Sequence, residues 1–94
     1  MTEQPEKAAR LFKILSIATR VRMIELLKQH SLCVNALSRM LGVTPAAVSQ
    51  HLRILRDSDV VIARKTGYFV HYQINPQTLK DWSKTAKSIL EIKP

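Results

Sequence analysis

A break only three residues long limits the possible folds of this chain more than any other part of its sequence. Val34, Leu37 and Leu41 mark the apolar stripe of a short helix, and Gly42 follows where a left-handed C-terminal cap is wanted. Thr44-Pro45 then restarts a helix at once. Thr44 offers an oxygen to an orphan amide of the new helix, and Pro45 suits its first position because it has no N–H to leave unpaired. Val48, Leu52 and Leu55 form the buried stripe of this second helix. Two helices separated by so short a glycine-containing turn make a helix-turn-helix.

The flanking segments extend the pattern. From Glu6, Ala8, Leu11, Phe12 and Leu15 fall on one helical face with Ile14 beside it, while Met1 to Pro5 read as loose. A break around Ser16 to Thr19, with Thr19 as N-cap, precedes a helix whose broad apolar face is Val21, Ile24 and Leu27, or their neighbours Met23 and Leu26. After Asp57-Ser58-Asp59 the character changes. Val60 to Ala63 is short and apolar, and Tyr68 to Ile74 alternates, with Tyr68, Val70, Tyr72 and Ile74 on one side. Arg64-Lys65-Thr66-Gly67 lies between them as a basic hairpin tip. Asn75-Pro76 repeats the cap-plus-proline start, and a closing helix to about Glu91 carries Leu79, Trp82, Ala86 and Ile89 on one stripe. The expected fold is mainly α (α+β), a winged helix-turn-helix in the order α-α-α-α-β-β-α. Ninety-four residues hold one such domain, 1–94, with a body at 5–75 and a C-terminal helix at 76–91.

Charge narrows the function. Lys and Arg number 15 against 7 Asp and Glu, a net +8, which points to nucleic acid or an anionic membrane surface unless the excess serves solubility alone. No stretch approaches the roughly 18 apolar residues of a membrane span, and Lys13, Arg20 and Arg22 interrupt the first thirty residues, so neither signal peptide nor membrane partner is expected. The single cysteine, Cys33, excludes an intrachain disulfide and fits a reducing, cytoplasmic setting. His30, His51 and His71 have no carboxylate or thiol constellation around them, and Gly42 and Gly67 are the only glycines, too few for a phosphate-binding loop. Neither enzyme nor cofactor is expected.

The helix opened by Thr44 has an unusual outer face. With Val48, Leu52 and Leu55 inward at about 100° per residue, Ala46, Gln50 and Arg53 lie nearly opposite, with Ala47 and Ser49 on the flanks. A solvated face is usually dense with Lys and Glu, yet no acid occurs from Thr44 through Arg56. Small residues near the start allow close approach of the backbone. Gln50 carries the paired donor and acceptor that adenine requires in the major groove, and Arg53 and Arg56 reach phosphates or guanine. The helix N-terminus at Thr44 and Pro45 adds partial positive charge. The plainer reading of these positions is a well-behaved surface helix. His51 lies about 60° from the stripe centre; it is either a DNA contact or a boundary histidine bonded to a neighbouring backbone group. Asp57, outward one turn later, marks where contact with phosphate would end. At the hairpin tip Arg64, Lys65 and Tyr68 make a second contact, over a minor groove or backbone, or else form a charge-protected edge. A winged helix that docks on protein without base readout would carry an acidic or apolar outer face, the reverse of this one.

The run Leu15-Ser16-Ile17-Ala18-Thr19-Arg20-Val21-Arg22-Met23-Ile24-Glu25-Leu26-Leu27 is similar to the L-x-x-x-T-R-x-x-I-L-x-L-L opening of the ArsR/SmtB repressors. Val48-Ser49-Gln50-His51-Leu52-Arg53-Ile54-Leu55 resembles that family's V-S-x-H-L-x-x-L recognition helix, and Arg64 through Tyr72 resembles its wing. The resemblance spans Ala8 to Ile74. It implies a homodimeric repressor on double-stranded DNA, at an inverted-repeat operator, released when an inducer binds. It also implies a dimer interface from the first and last helices: Leu11, Phe12 and Leu15 with Leu79, Trp82, Ala86 and Ile89, a stripe that an intramolecular core would equally use. The inducer does not transfer. Arsenic-sensing members carry Cys-Val-Cys where this chain has Cys33-Val34-Asn35, and zinc-sensing members carry Asp-x-His where it has Asp81-Trp82-Ser83 with no later histidine. One thiol per chain cannot make a soft-metal site, so no metal is expected. Cys33 is a small buried residue, a redox or inducer-responsive thiol, or part of a site between subunits.

Overall fold

The computed structural model describes residues 5–92. The elements follow the expected order: α1 (Pro5–Ile14), α2 (Ala18–Gln29), α3 (Val34–Leu41), α4 (Pro45–Asp57), β1 (Val61–Thr66), β2 (Phe69–Ile74) and α5 (Pro76–Leu90). Of the start expected to be loose, Met1 to Gln4 lie outside the described residues, whereas Pro5 is already helical. A proline's fixed φ and missing N–H suit a first helical turn, so its presence did not argue for a loop.

The α1–α2 corner differs from expectation. Thr19 is not the N-cap of α2; Ile17 is, and Thr19 sits inside the first turn. The Ser16 hydroxyl donates to the Lys13 carbonyl at 2.6 Å, and the Ile17 carbonyl accepts from the amides of Arg20 and Val21. Ser16 thus closes α1, and the chain can re-enter a helix before Thr19.

The core lies where α2, α3, α4 and the hairpin meet. Met23, Ile24 and Leu27 of α2 join Leu37 of α3, Val48, Leu52 and Leu55 of α4, and Val60 and Val61 in one buried cluster. Each such side chain stabilises the fold by about 1.5–3 kcal/mol relative to exposure. Three of them on α4 therefore fix its rotation, and with it the residues that face outward. On α2, burial selects Met23, Ile24 and Leu27, while Val21 stays exposed.

The β-hairpin is longer than its sequence suggests. β1 and β2 pair antiparallel from Val61 opposite Ile74 to Thr66 opposite Phe69, which leaves only Gly67 and Tyr68 as the turn. The strands were expected to stop at Ala63 and resume at Tyr68, with a four-residue tip. Nothing in Arg64-Lys65-Thr66 breaks a strand, and Gly67 (φ 62°) alone supplies the left-handed residue of a two-residue turn. Tyr68 therefore belongs to the turn and not to the alternating face; it is fully exposed. Leu32 adds a backbone bridge to the other edge of β2, its amide donating to the Tyr72 carbonyl at 3.0 Å and its carbonyl accepting from the Tyr72 amide at 2.8 Å. That bridge ties the hairpin to the α2–α3 connection.

α5 begins as the sequence implied. The Asn75 side chain accepts from the Gln77 amide at 3.2 Å, and Pro76 follows. It packs on α1, where Lys7 and Asp81 form an ion pair at 2.7 Å, but no residue of α5 is buried.

Candidate nucleic-acid interface

The candidate interface starts at the turn between α3 and α4. Gly42 takes φ 67°, ψ 32°, and its amide donates to the Ser38 carbonyl at 3.0 Å. The Val43 amide donates to the same carbonyl at 3.3 Å, and the Ser38 hydroxyl returns a bond to the Val43 carbonyl. Ser38 thus binds the turn from both sides, a role its place in the sequence did not reveal. Thr44 then accepts from the Ala47 amide at 3.1 Å, with Pro45 as first helical residue, so the angle of α4 is set at its N-terminus. At the far end the Ser58 hydroxyl donates to the carbonyls of Ile54 and Leu55, at 3.0 and 3.1 Å. Asp59 takes the left-handed φ of 63° that turns the chain into the hairpin.

Between these ends α4 presents the expected surface. Thr44, Pro45, Ala46, Ser49, Gln50, Arg53 and Arg56 are exposed, and Ala47 and His51 are half-buried. The ion pairs among the described residues are Lys7–Asp81 and Lys28–Glu25, so Arg53 and Arg56 have no carboxylate partner among those residues. Ser49, Arg53 and Arg56, with Asp57 at the end of the helix, line an open cleft of about 430 Å³ that Tyr72 of β2 also lines. The cationic part of α4 thus turns toward the hairpin, with Gln50 and Ala46 at the crest.

The hairpin separates two residues read together in sequence. Arg64 is opposite His71, and Lys65 is opposite Val70. Successive strand residues point to opposite faces. Lys65 therefore shares the face of Tyr72 and the buried Val61, on the side of the α4 cleft, while Arg64 stands on the outer face with Phe69 and His71. Both are exposed, as is Tyr68 at the tip.

His51 has a partner that sequence reading did not supply. Arg20 of α2 is buried, 9% exposed. Its Nε donates to Nδ1 of His51 at 3.3 Å, and its Nη1 donates to the Ile14 carbonyl at 3.4 Å. His51 is a boundary histidine, but its partner is a guanidinium and not a backbone group. Burial, and then the Arg20 charge, hold its pKa below the usual 6.5. The visible signal was the Thr19-Arg20 pair of the family motif.

The remaining candidate residues lie elsewhere. Cys33 is the half-buried N-cap residue of α3, without a side-chain capping bond. Among the described residues no three His, Cys, Asp or Glu side chains converge to hold a metal ion, and a lone thiol beside Asn35 is a poor donor set for a soft metal. No helix among these residues is long and apolar enough to cross a membrane. Leu11, expected in a dimer interface, is buried within the chain and offers almost no surface to a partner, because its side chain packs inside the fold. Phe12, Leu15, Leu79, Trp82 and Ala86 line an apolar groove of about 370 Å³ between α1, α2 and α5, and Ile89 is exposed farther along α5.

Residues 18–63, from α2 into β1, match the model of the bacterial regulatory protein arsR family. The arsenical resistance operon repressor of Escherichia coli (strain K12) is 40% identical over 67 residues, 70% of this chain and 57% of that protein. An uncharacterized HTH-type transcriptional regulator of Methanocaldococcus jannaschii is 35% identical over 80 residues, 84% of this chain and 90% of that one. The chain belongs to the arsR family. Its fold matches the crystal structure of a possible transcriptional regulator for arsenical resistance with a TM-score of 0.79 at 31% identity, covering 85% of this chain and 83% of that one. This arsR-family chain spans little more than half the length of the Escherichia coli repressor, and it carries Asn35 where the arsenic-sensing pattern has its second cysteine.

Proposed function

We propose that this arsR-family chain is a sequence-specific DNA-binding transcription regulator, acting in the cytoplasm as a two-fold dimer and not as an enzyme. One observation carries the reading: α4 holds an exposed surface of small, amide and cationic side chains, without an acid from Thr44 through Arg56, on a helix capped at both ends and anchored by three core residues. Gln50 reads base edges from the crest, Arg53, Arg56 and Lys65 engage phosphates, and Tyr68 rides over the neighbouring backbone or minor groove.

The partly exposed apolar strip of Phe12, Leu15, Trp82, Ala86 and Ile89 supports dimerisation through α1 and α5. Residues 5–75 then form the reading head and 76–91 the dimerising helix of a single domain. Two recognition helices entering successive major grooves about 34 Å apart require an inverted-repeat site. Relatives that are named as repressors support repression by covering a promoter, with release by a signal other than a thiolate-bound metal.

Fluorescence anisotropy against labelled duplex, with sedimentation of the free chain, tests this reading. It requires a dimer whose log affinity falls linearly with log salt, by about 0.9 per neutralised phosphate. A monomer with no duplex affinity at low ionic strength would refute it.

A further inference from the structure

The contact between Arg20 and His51 does more than pack α4 against α2. An arginine Nε always carries its hydrogen, so the atom that accepts from it, Nδ1 of His51, has none. A neutral imidazole has one N–H, which must then be on Nε2. Nε2 has no partner among the described residues. Because no side-chain nitrogen or oxygen there is both buried and unpartnered, Nε2 of the half-buried His51 keeps some contact with solvent. At about 100° per residue, His51 occupies the flank of α4 away from Ser49, Arg53 and Arg56. Two phosphate ridges border a major groove. Arg53 and Arg56, with Lys65, serve the ridge on the hairpin side, and His51 is the donor on the other.

We propose that Arg20 is a positioning residue for this surface: by donating to Nδ1 of His51 it fixes the imidazole proton on Nε2 and aims that N–H at a phosphate oxygen of DNA. The proposal rests on the DNA-binding reading above. Arg20 itself never touches the nucleic acid. Its second bond, to the Ile14 carbonyl, holds the guanidinium still, so the orientation of the imidazole is set from α1 and α2.

Two substitutions separate this role from packing. His51→Asn keeps an acceptor close to the Nδ1 position and removes the outward donor. His51→Gln keeps a donor close to the Nε2 position and removes the acceptor facing Arg20. The expected result is that His51→Asn melts like the unaltered chain but binds duplex about tenfold more weakly, with His51→Gln retaining more of the affinity. Nitrogen-15 spectra of the histidine rings give a readout without DNA: His51 should show a bare Nδ1 and a protonated Nε2, and Arg20→Met should mix the two tautomers. Full affinity in His51→Asn, or a protonated Nδ1 in the unaltered chain, overturns the proposal. If the unaltered chain bound no duplex, the DNA-binding reading and this contact would fail together, while the ring spectra would still judge the role of Arg20.

Discussion

Nε of Arg20 stands 3.3 Å from Nδ1 of His51, so a buried cation of α2 is bonded to the flank of α4. The pair has a consequence for stability. Desolvation by burial, then the Arg20 charge, lower the His51 pKa in the folded chain, whereas the unfolded chain titrates near the usual 6.5. Between the two values the unfolded chain binds more protons, so stability rises with pH there. The contribution is complete above pH 6.5 and declines as pH falls through the lowered folded value. Urea denaturation from about pH 7.5 to about pH 5 should destabilise the unaltered chain more than His51→Asn. Parallel loss in both would contradict the assignment.

In the proposed complex, Gln50 and Lys65 divide the work of recognition. Gln50→Ala should relax preference at one base pair, by about 1–3 kcal/mol between adenine and its competitors. Lys65→Ala should weaken every sequence alike and reduce the magnitude of the salt slope by about one. Arg64, on the opposite face of the hairpin, should contribute less than Lys65. Titrations of matched and mismatched duplexes at several salt concentrations check all three. Identical effects of Gln50→Ala and Lys65→Ala on every duplex would refute the division.

The α3–α4 turn depends on two local conformations. Thr44→Ala removes the acceptor for the Ala47 amide and should cost about 1 kcal/mol. Gly42→Ala meets no atom within 4 Å of the added carbon, so its cost is the left-handed backbone alone, about 1–2 kcal/mol. For a chain of this size each should lower the melting temperature by several degrees, at about 4–8 °C per kcal/mol. Calorimetry measures both; an unchanged Gly42→Ala midpoint would mean the turn can relax.

Much of this was legible because local rules and packing agreed. Gly42, Thr44, Pro45, Asn75 and Pro76 each sit where their own backbone chemistry places them, so five helices and a hairpin could be read in order. The same is true of the α4 surface, since Val48, Leu52 and Leu55 determine which residues face out. The failures involve interactions between distant segments or signals too weak to stop an element. Thr19 looked like a cap because the hydrogen bond that closes α1 at Ser16 is invisible in a pattern of apolar residues. Arg64 and Lys65 looked like a loop because basic residues are poor strand signals, although the register carries pairing to Thr66. Arg20, read as a charge that interrupts apolar sequence, is buried against a histidine 31 positions away.

The face formed by α1 and α5 supports a further expectation. Phe12 and Ile89 are 38% and 40% exposed, so Phe12→Lys and Ile89→Lys should leave the fold and its circular dichroism intact. Sedimentation should show dissociation to monomers, and affinity for a two-half-site duplex should fall far more than affinity for a single half-site. Dimers that survive both substitutions would place the interface elsewhere.

Selection of bound duplexes from a random pool tests two-fold recognition of DNA in a single measurement. The chain should enrich an inverted repeat whose half-sites lie about one helical turn, 10–10.5 base pairs, apart, occupied by two chains. Recovery of no common sequence, or of one unrepeated element bound by a single chain, would contradict it.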